Sequence, residues 1–196
     1  MALSNTTNLA IKDYGPISSW EIPEGTADIN TSRAFVEKYV MPYLRISKDC
    51  GTNVQGDCKK DFVLLNNEQS KIDNSYVRFY LSDGTLVGVG AINFNNLVRA
   101  FIIVDVNGDK KPNKMGIDVF AFYYQIRKNG QAIGKIIPYC ELDENNQCDL
   151  KKSIEESCAD GSQGHYCQYA IMANGWKLPT KEDYVRMGGD ATLYPW

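Results

Sequence analysis

Asp105, Asn107 and Asp109 stand at alternate positions of Asp-Val-Asn-Gly-Asp, with Asp118 downstream. Calcium needs several oxygen ligands on a flexible loop, and the D-x-[DN]-x-D pattern opens an EF-hand loop for that reason. The last ligand position of such a loop is Gly116 here rather than a bidentate acid, so Asp118 would close the site from the start of the next strand. The competing reading is an ordinary hairpin loop. In it Asn107-Gly108 turns the chain, Pro112 stiffens it and the acids are solvated. Lys110, Lys111 and Lys114 supply cations that neutralise the same acids without a metal.

Six cysteines fall into three short-spaced pairs. Metal binding favours C-x-x-C spacing, which is absent, so a disulfide framework is the better reading. Six cysteines can be joined in many ways, but local pairing costs the least loop closure. Cys50–Cys58, Cys140–Cys148 and Cys158–Cys167 are therefore expected, each worth about 2.5 kcal/mol on the chain-entropy model. Disulfides imply an oxidising compartment. Catalytic chemistry is poorly supplied. His165 is the only histidine and nothing marks an orienting partner, so an exposed loop histidine is expected. The acids are scattered, no Gly-rich phosphate loop is present, and the chain reads as no enzyme.

The 196 residues carry 21 basic and 24 acidic side chains, a formal charge of −3. That balance argues against a nucleic-acid groove and a polybasic membrane patch. With 43% hydrophobic and 23% charged residues, a single packed domain over residues 1–196 is expected. No apolar run approaches the roughly 20 residues of a membrane span. Nor does the sequence open with a basic stretch and apolar core of the secretory kind. A disulfide protein without an export signal is expected to have lost its N-terminal segment.

Leu3, Thr7, Ala10, Ile11 and Tyr14 fall on one helical face before Gly15-Pro16 stops the helix. A second helix is expected from near Asn30-Thr31-Ser32, burying Phe35, Val36, Tyr39 and Val40 until Pro42 ends it. The period then changes to two. Strands are expected over Tyr76 to Leu81, Thr85 to Ala91, Arg99 to Val106, Ile117 to Arg127 and on to Pro138. Asp83-Gly84 suggests a type I′ turn and Asn129-Gly130 another tight turn. Short turns demand antiparallel neighbours, so the fold is α+β, an amphipathic helix on a four- to five-stranded antiparallel sheet. Alternation sends Phe120, Phe122 and Tyr124 to one core-facing side. Trp20, Trp176 and Trp196 are expected to cover the core edge. Short helices are expected from Leu150 to Ser157, capped by Asp149, and from Tyr166 to Ala173.

Four blocks in order then become recognisable. They are Ala10-Ile11-Lys12-Asp13-Tyr14-Gly15 with Ser18-Ser19-Trp20, and Tyr39-Val40-Met41-Pro42-Tyr43-Leu44 with Lys48-Asp49-Cys50. The third runs from Asp105-Val106-Asn107-Gly108 through Pro112-Asn113, Gly116 and Asp118-Val119-Phe120, and the last from Cys167 through Ile171-Met172-Ala173-Asn174-Gly175-Trp176-Lys177-Leu178-Pro179. Together they resemble the periplasmic domain of bacterial type IV pilin-like proteins, a group that includes type II secretion pseudopilins. The resemblance implies a long N-terminal helix on an antiparallel sheet and a non-enzymatic structural subunit. Its partners would be other pilin or pseudopilin subunits, met through an apolar helical half that anchors the full-length protein in the inner membrane before assembly. A periplasmic or cell-surface location follows. The leader, the apolar half and the glutamate near its start are not in this sequence. The rival reading is a secreted or surface-attached adhesin with a calcium-stabilised loop.

Overall fold

The computed structural model describes residues 2–24, 28–52, 56–72, 74–94, 97–108, 110–128, 131–145 and 147–196. In chain order the elements are α1 (Ala2–Tyr14), α2 (Ile29–Tyr39), β1 (Ile46–Asp49), β2 (Asp61–Val63), β3 (Gln69–Lys71), β4 (Val77–Leu81), β5 (Leu86–Phe94), β6 (Leu97–Asp105), β7 (Val119–Lys128), β8 (Gln131–Pro138), α3 (Leu150–Ser157), α4 (Cys167–Ala173) and α5 (Lys181–Arg186). The fold is α+β. Two compact units divide the chain: residues 1–60, 72–108 and 122–136 form the first, and residues 61–71, 109–121 and 137–196 the second.

In the first unit α1 stops at Gly15, which takes φ +80° and donates its N–H to the Ile11 carbonyl. Asp28 caps α2, its Oδ1 accepting from the N–H groups of Asn30 and Thr31 at 2.8 and 2.9 Å. The helix thus begins ahead of the expected Asn30–Ser32 cap, and Ser32 is freed to turn inward, where its Oγ accepts from the Ala91 N–H at 3.0 Å. Six antiparallel strands follow the order β1-β4-β5-β6-β7-β8, against the expected four or five. The added strand is β1, whose Ser47, Lys48 and Asp49 are exposed. An edge strand needs no apolar face, so its sequence carries no period-2 signal. The β4–β5 turn also differs from the type I′ expectation. Only Gly84 has positive φ, at +90°, while Leu81 N–H bonds Thr85 O and Gly84 N–H bonds Leu81 O. A three-residue loop with a left-handed glycine therefore replaces the two-residue one.

Alternate residues of β4, β5, β6 and β7, among them Phe79, Val89, Ile102 and Tyr124, pack with Ala10 of α1 and with Phe35, Val36 and Tyr39 of α2, while Phe120, expected on the same side, is not part of this cluster. Trp20, fully buried, sits amid this cluster. Its ring stacks on Tyr39 at 4.7 Å and 6°, and lies 5.4 Å from Tyr124 and 6.1 Å from Phe35. Its indole N–H donates to the Gly15 carbonyl at 3.1 Å, which satisfies the one polar group it buries. Trp20 is thus the middle of the core rather than its edge.

In the second unit β2 and β3 form an antiparallel hairpin. Ile154, Ala170 and Tyr184 bring α3, α4 and α5 together, with Tyr194 and Trp196 packed against them. The Tyr184 hydroxyl donates to the Cys158 carbonyl at 2.8 Å, and Trp196 Nε1 donates to Gly116 O at 3.2 Å. The capping box of Thr180 and Asp183 starts α5. Helix α4 closes in a Schellman motif: Gly175 N–H bonds Met172 O and Trp176 N–H bonds Ile171 O. Trp176 itself takes φ +63° and is 57% exposed, unlike the expected edge-covering role.

Replacing Trp20 by Ala is expected to cost about 3–5 kcal/mol in urea unfolding, as large-to-small core changes do. Trp176→Ala, at an exposed position, is expected to stay within about 0.5 kcal/mol of the parent. Equal losses at both positions would contradict this assignment of the core.

Candidate functional site

The seam between α1 and the sheet combines apolar burial with side-chain hydrogen bonds. Thr6, Thr7 and Ala10 are buried and Ile11 packs partly against the core, while Asn5, Asn8, Lys12 and Asp13 face outward. Tyr14 departs from the expected stripe. It is 42% exposed and meets Tyr39 edge-on at 5.2 Å. Thr6, absent from the expected stripe, is instead buried, and its hydroxyl donates to the Tyr43 carbonyl at 3.4 Å. Thr7 Oγ1 and the Tyr124 hydroxyl share a 2.8 Å hydrogen bond in the core. Burial pushes the Tyr124 phenol up to about 12, so it stays neutral at physiological pH. Tyr43 donates to Asp13 Oδ2 at 2.7 Å, and that bond to a carboxylate pushes its phenol up to about 12. Two threonines therefore hold the buried face by hydrogen bonds, and an exposed carboxylate latches the outer edge.

An open pocket of about 430 Å³ beside α2 includes Ile22, Phe35, Glu21, Lys38 and Arg127 in its lining. Lys38 Nζ lies 3.8 Å from Glu21 Oε2 there, a solvent-exposed pair.

The acidic loop is built as two caps. Asp105 Oδ1 accepts from the N–H groups of Asn107 and Gly108 at 3.2 and 2.9 Å. Asp118 accepts from Asn113 N–H at 2.9 Å and Lys114 N–H at 2.5 Å. Both carboxylates are buried, and Asp105 belongs to the first unit, Asp118 to the second. Asp109 lies outside the described residues. Lys114 Nζ donates to Asn67 Oδ1 at 2.9 Å. Among the described residues, no three His, Cys, Asp or Glu side chains come together as metal ligands. Gly108 answers to its backbone: φ is +60°, and a Cβ would lie 2.3 Å from the Gly84 carbonyl oxygen.

The cysteines pair as Cys50–Cys58, Cys140–Cys148 and Cys158–Cys167, the local scheme expected from their spacing. His165, within the last loop, is half-buried rather than exposed. Its ring lies 5.8 Å from that of Tyr139, which Tyr166 meets edge-on at 5.0 Å. Tyr166 donates to Glu141 Oε1 at 2.7 Å, and Lys152 Nζ stands 3.7 Å from Glu141 Oε2. Burial holds the His165 imidazole below its ordinary value of 6.5.

Residues 1–185 match the sequence family described as a family of unknown function, DUF6613. The chain belongs to family DUF6613. No curated protein and no solved structure matches it. The match takes in both the α1 seam and the Cys158–Cys167 loop.

The depressed His165 has a measurable consequence. The folded chain binds fewer protons than the unfolded chain below the unfolded value of about 6.5, so stability is full above it and falls as pH drops through it. Carboxylates held down by hydrogen bonds, such as Asp49 beside Arg33, lose their contribution only at lower pH, below the ordinary 3.8. Urea midpoints measured between about pH 7.5 and pH 5 are expected to fall for the parent and to flatten in His165→Gln. Parallel curves would show that His165 is not the titrating group.

Proposed function

We propose that this chain is a non-enzymatic structural subunit, the outward domain of a pilin-like protein from a type IV pilus or a type II secretion pseudopilus. The observation that carries the reading is the docking of α1 on one face of the antiparallel sheet through Thr7 and Ala10, with Thr6 tied to the Tyr43 carbonyl. In a subunit of this kind the N-terminal helix connects the globular part to a filament core. It must then transmit load to the sheet without unzipping. Hydrogen bonds to Tyr124 and Tyr43, added to apolar burial, suit that role because they fix the rotation of the helix as well as its depth. Three local disulfides support work outside the reducing cytosol. Among the described residues, no helix is long and apolar enough to cross a membrane. The anchor and the polymerising contacts belong, on this proposal, to sequence preceding α1.

The test uses the native gene product with all of its N-terminal coding sequence. An antibody raised against residues 2–196 is expected to label the inner-membrane fraction and sheared surface filaments of the source cell. Recovery solely as a free secreted chain, with no membrane or filament pool, would overturn the proposal.

A further inference from the structure

Arg78 stands in β4 with 1% of its surface exposed, and a guanidinium keeps its charge at any pH the folded chain meets. Backbone carbonyls hold it there. One terminal nitrogen donates to the Cys58 carbonyl at 2.9 Å, and the other to the Ile72 carbonyl at 2.5 Å. The backbone of the same residue accepts from the Cys50 N–H at 3.0 Å. Residue 78 therefore meets both cysteines of the Cys50–Cys58 disulfide, one through its main chain and the other through its charge. Asp49, next to Cys50, is gripped by Arg33 of α2 through two hydrogen bonds of 2.7 Å. Cys50 is thus fixed from the strand side and the helix side, and the disulfide carries that fixation over to Cys58. The two cysteines are unequally placed, since Cys58 is 4% exposed and Cys50 is half-buried.

We propose that Cys50–Cys58 is a redox switch on the first unit, with the buried Arg78 as the group that responds to it. A thiolate of a dithiol reductant attacks the sulfur of Cys50, the more exposed residue. The S–S bond breaks, and Cys58 leaves as a thiolate that takes up a proton. The second thiol of the reductant then resolves the mixed disulfide, so the protein gains two electrons and two protons while the dithiol becomes a disulfide. Reduction unfastens the Cys58 carbonyl from Cys50 while Arg78 stays charged. A buried cation that loses an acceptor is far more costly than an apolar side chain in its place, so β4 opens and water reaches the guanidinium. The first unit therefore closes where thiols are oxidised and loosens where they are kept reduced. This inference is independent of whether the chain assembles into filaments.

The experiment is a double-mutant cycle in urea unfolding that crosses Arg78→Met with Cys50→Ala/Cys58→Ala. Arg78→Met is expected to favour folding about tenfold or more in the background without the disulfide, relative to its effect in the disulfide-bonded parent. A smaller difference, or one of opposite sign, would overturn the proposal, because a disulfide that acts only by loop closure is indifferent to the residue at 78. Should Cys50→Ala/Cys58→Ala fail to fold, recovery of the fold on adding Arg78→Met supports the proposal, and failure to recover it contradicts it. The control crosses Arg78→Met with Cys158→Ala/Cys167→Ala, where the two changes are expected to add; equal coupling there would mean a general loss of stability and no switch. A second readout is hydrogen exchange of the parent in dithiothreitol. The β4 amides are expected to lose protection once mass spectrometry shows Cys50 and Cys58 reduced, and full protection in that state would overturn the proposal.

Discussion

The first unit depends on one stack of rings. Trp20 lies flat on Tyr39, touches Phe35 and Tyr124, and anchors its indole N–H on the carbonyl that ends α1. Those contacts reach from the end of α1, through α2, to the sheet in a single side chain. Aromatic pairs of this kind add about 0.5–1.5 kcal/mol beyond the area they bury. Their geometric effect matters more: the offset of ring on ring sets the depth at which both helices sit. Around it the polar groups are placed for the same end. Glu21 N–H donates to the Tyr39 hydroxyl at 3.1 Å, and Asn93 Nδ2 to the Ile22 carbonyl at 2.7 Å, so the chain leaving Trp20 is tied to α2 and to β5.

With one face of the sheet used by the helices, the other face has different physics. It carries Arg78, fully buried, whose guanidinium donates to the carbonyls of Cys58 and Ile72. A guanidinium out of water survives because it is hydrogen-bonded by acceptors. The Cys50–Cys58 disulfide holds one of those acceptors in place. In the second unit covalent and apolar terms are interleaved. Cys158 and Cys167 pack with Leu65, and the Cys158 carbonyl also takes the Tyr184 hydroxyl. Short helices such as α5 are marginal alone, so this cross-linking and the Thr180–Asp183 box compensate for their length.

Much of the first unit was legible because burial imposes period on sequence. The strands from Val77 onward and the buried face of α2 follow directly from alternation and from the spacing of Phe35, Val36 and Tyr39. The three disulfides follow from loop length. What escaped has physical reasons. β1 is an exposed edge and β2 and β3 are three residues each, too short to show a period. Thr6, off the expected stripe and polar in sequence, is buried because the Tyr43 carbonyl offers a partner far along the chain, whereas the buried Thr7 was on that stripe. The left-handed Trp176 is invisible to any propensity argument, since bulky residues rarely adopt it. The capping box of α5 was readable as Thr180-Lys-Glu-Asp183 but has little apolar pattern behind it.

The central claim is that α1 is an integral part of the first unit, locked to the sheet rather than lying loosely on it. Native-state hydrogen exchange measures this most directly, residue by residue. The amides of Ala10 and Ile11 are predicted to exchange only through global unfolding, with the same opening free energy and denaturant dependence as the strand amides of Val89 and Ile102. Exchange of the α1 amides through local fraying, fast and insensitive to denaturant while those strand amides stay protected, would contradict it.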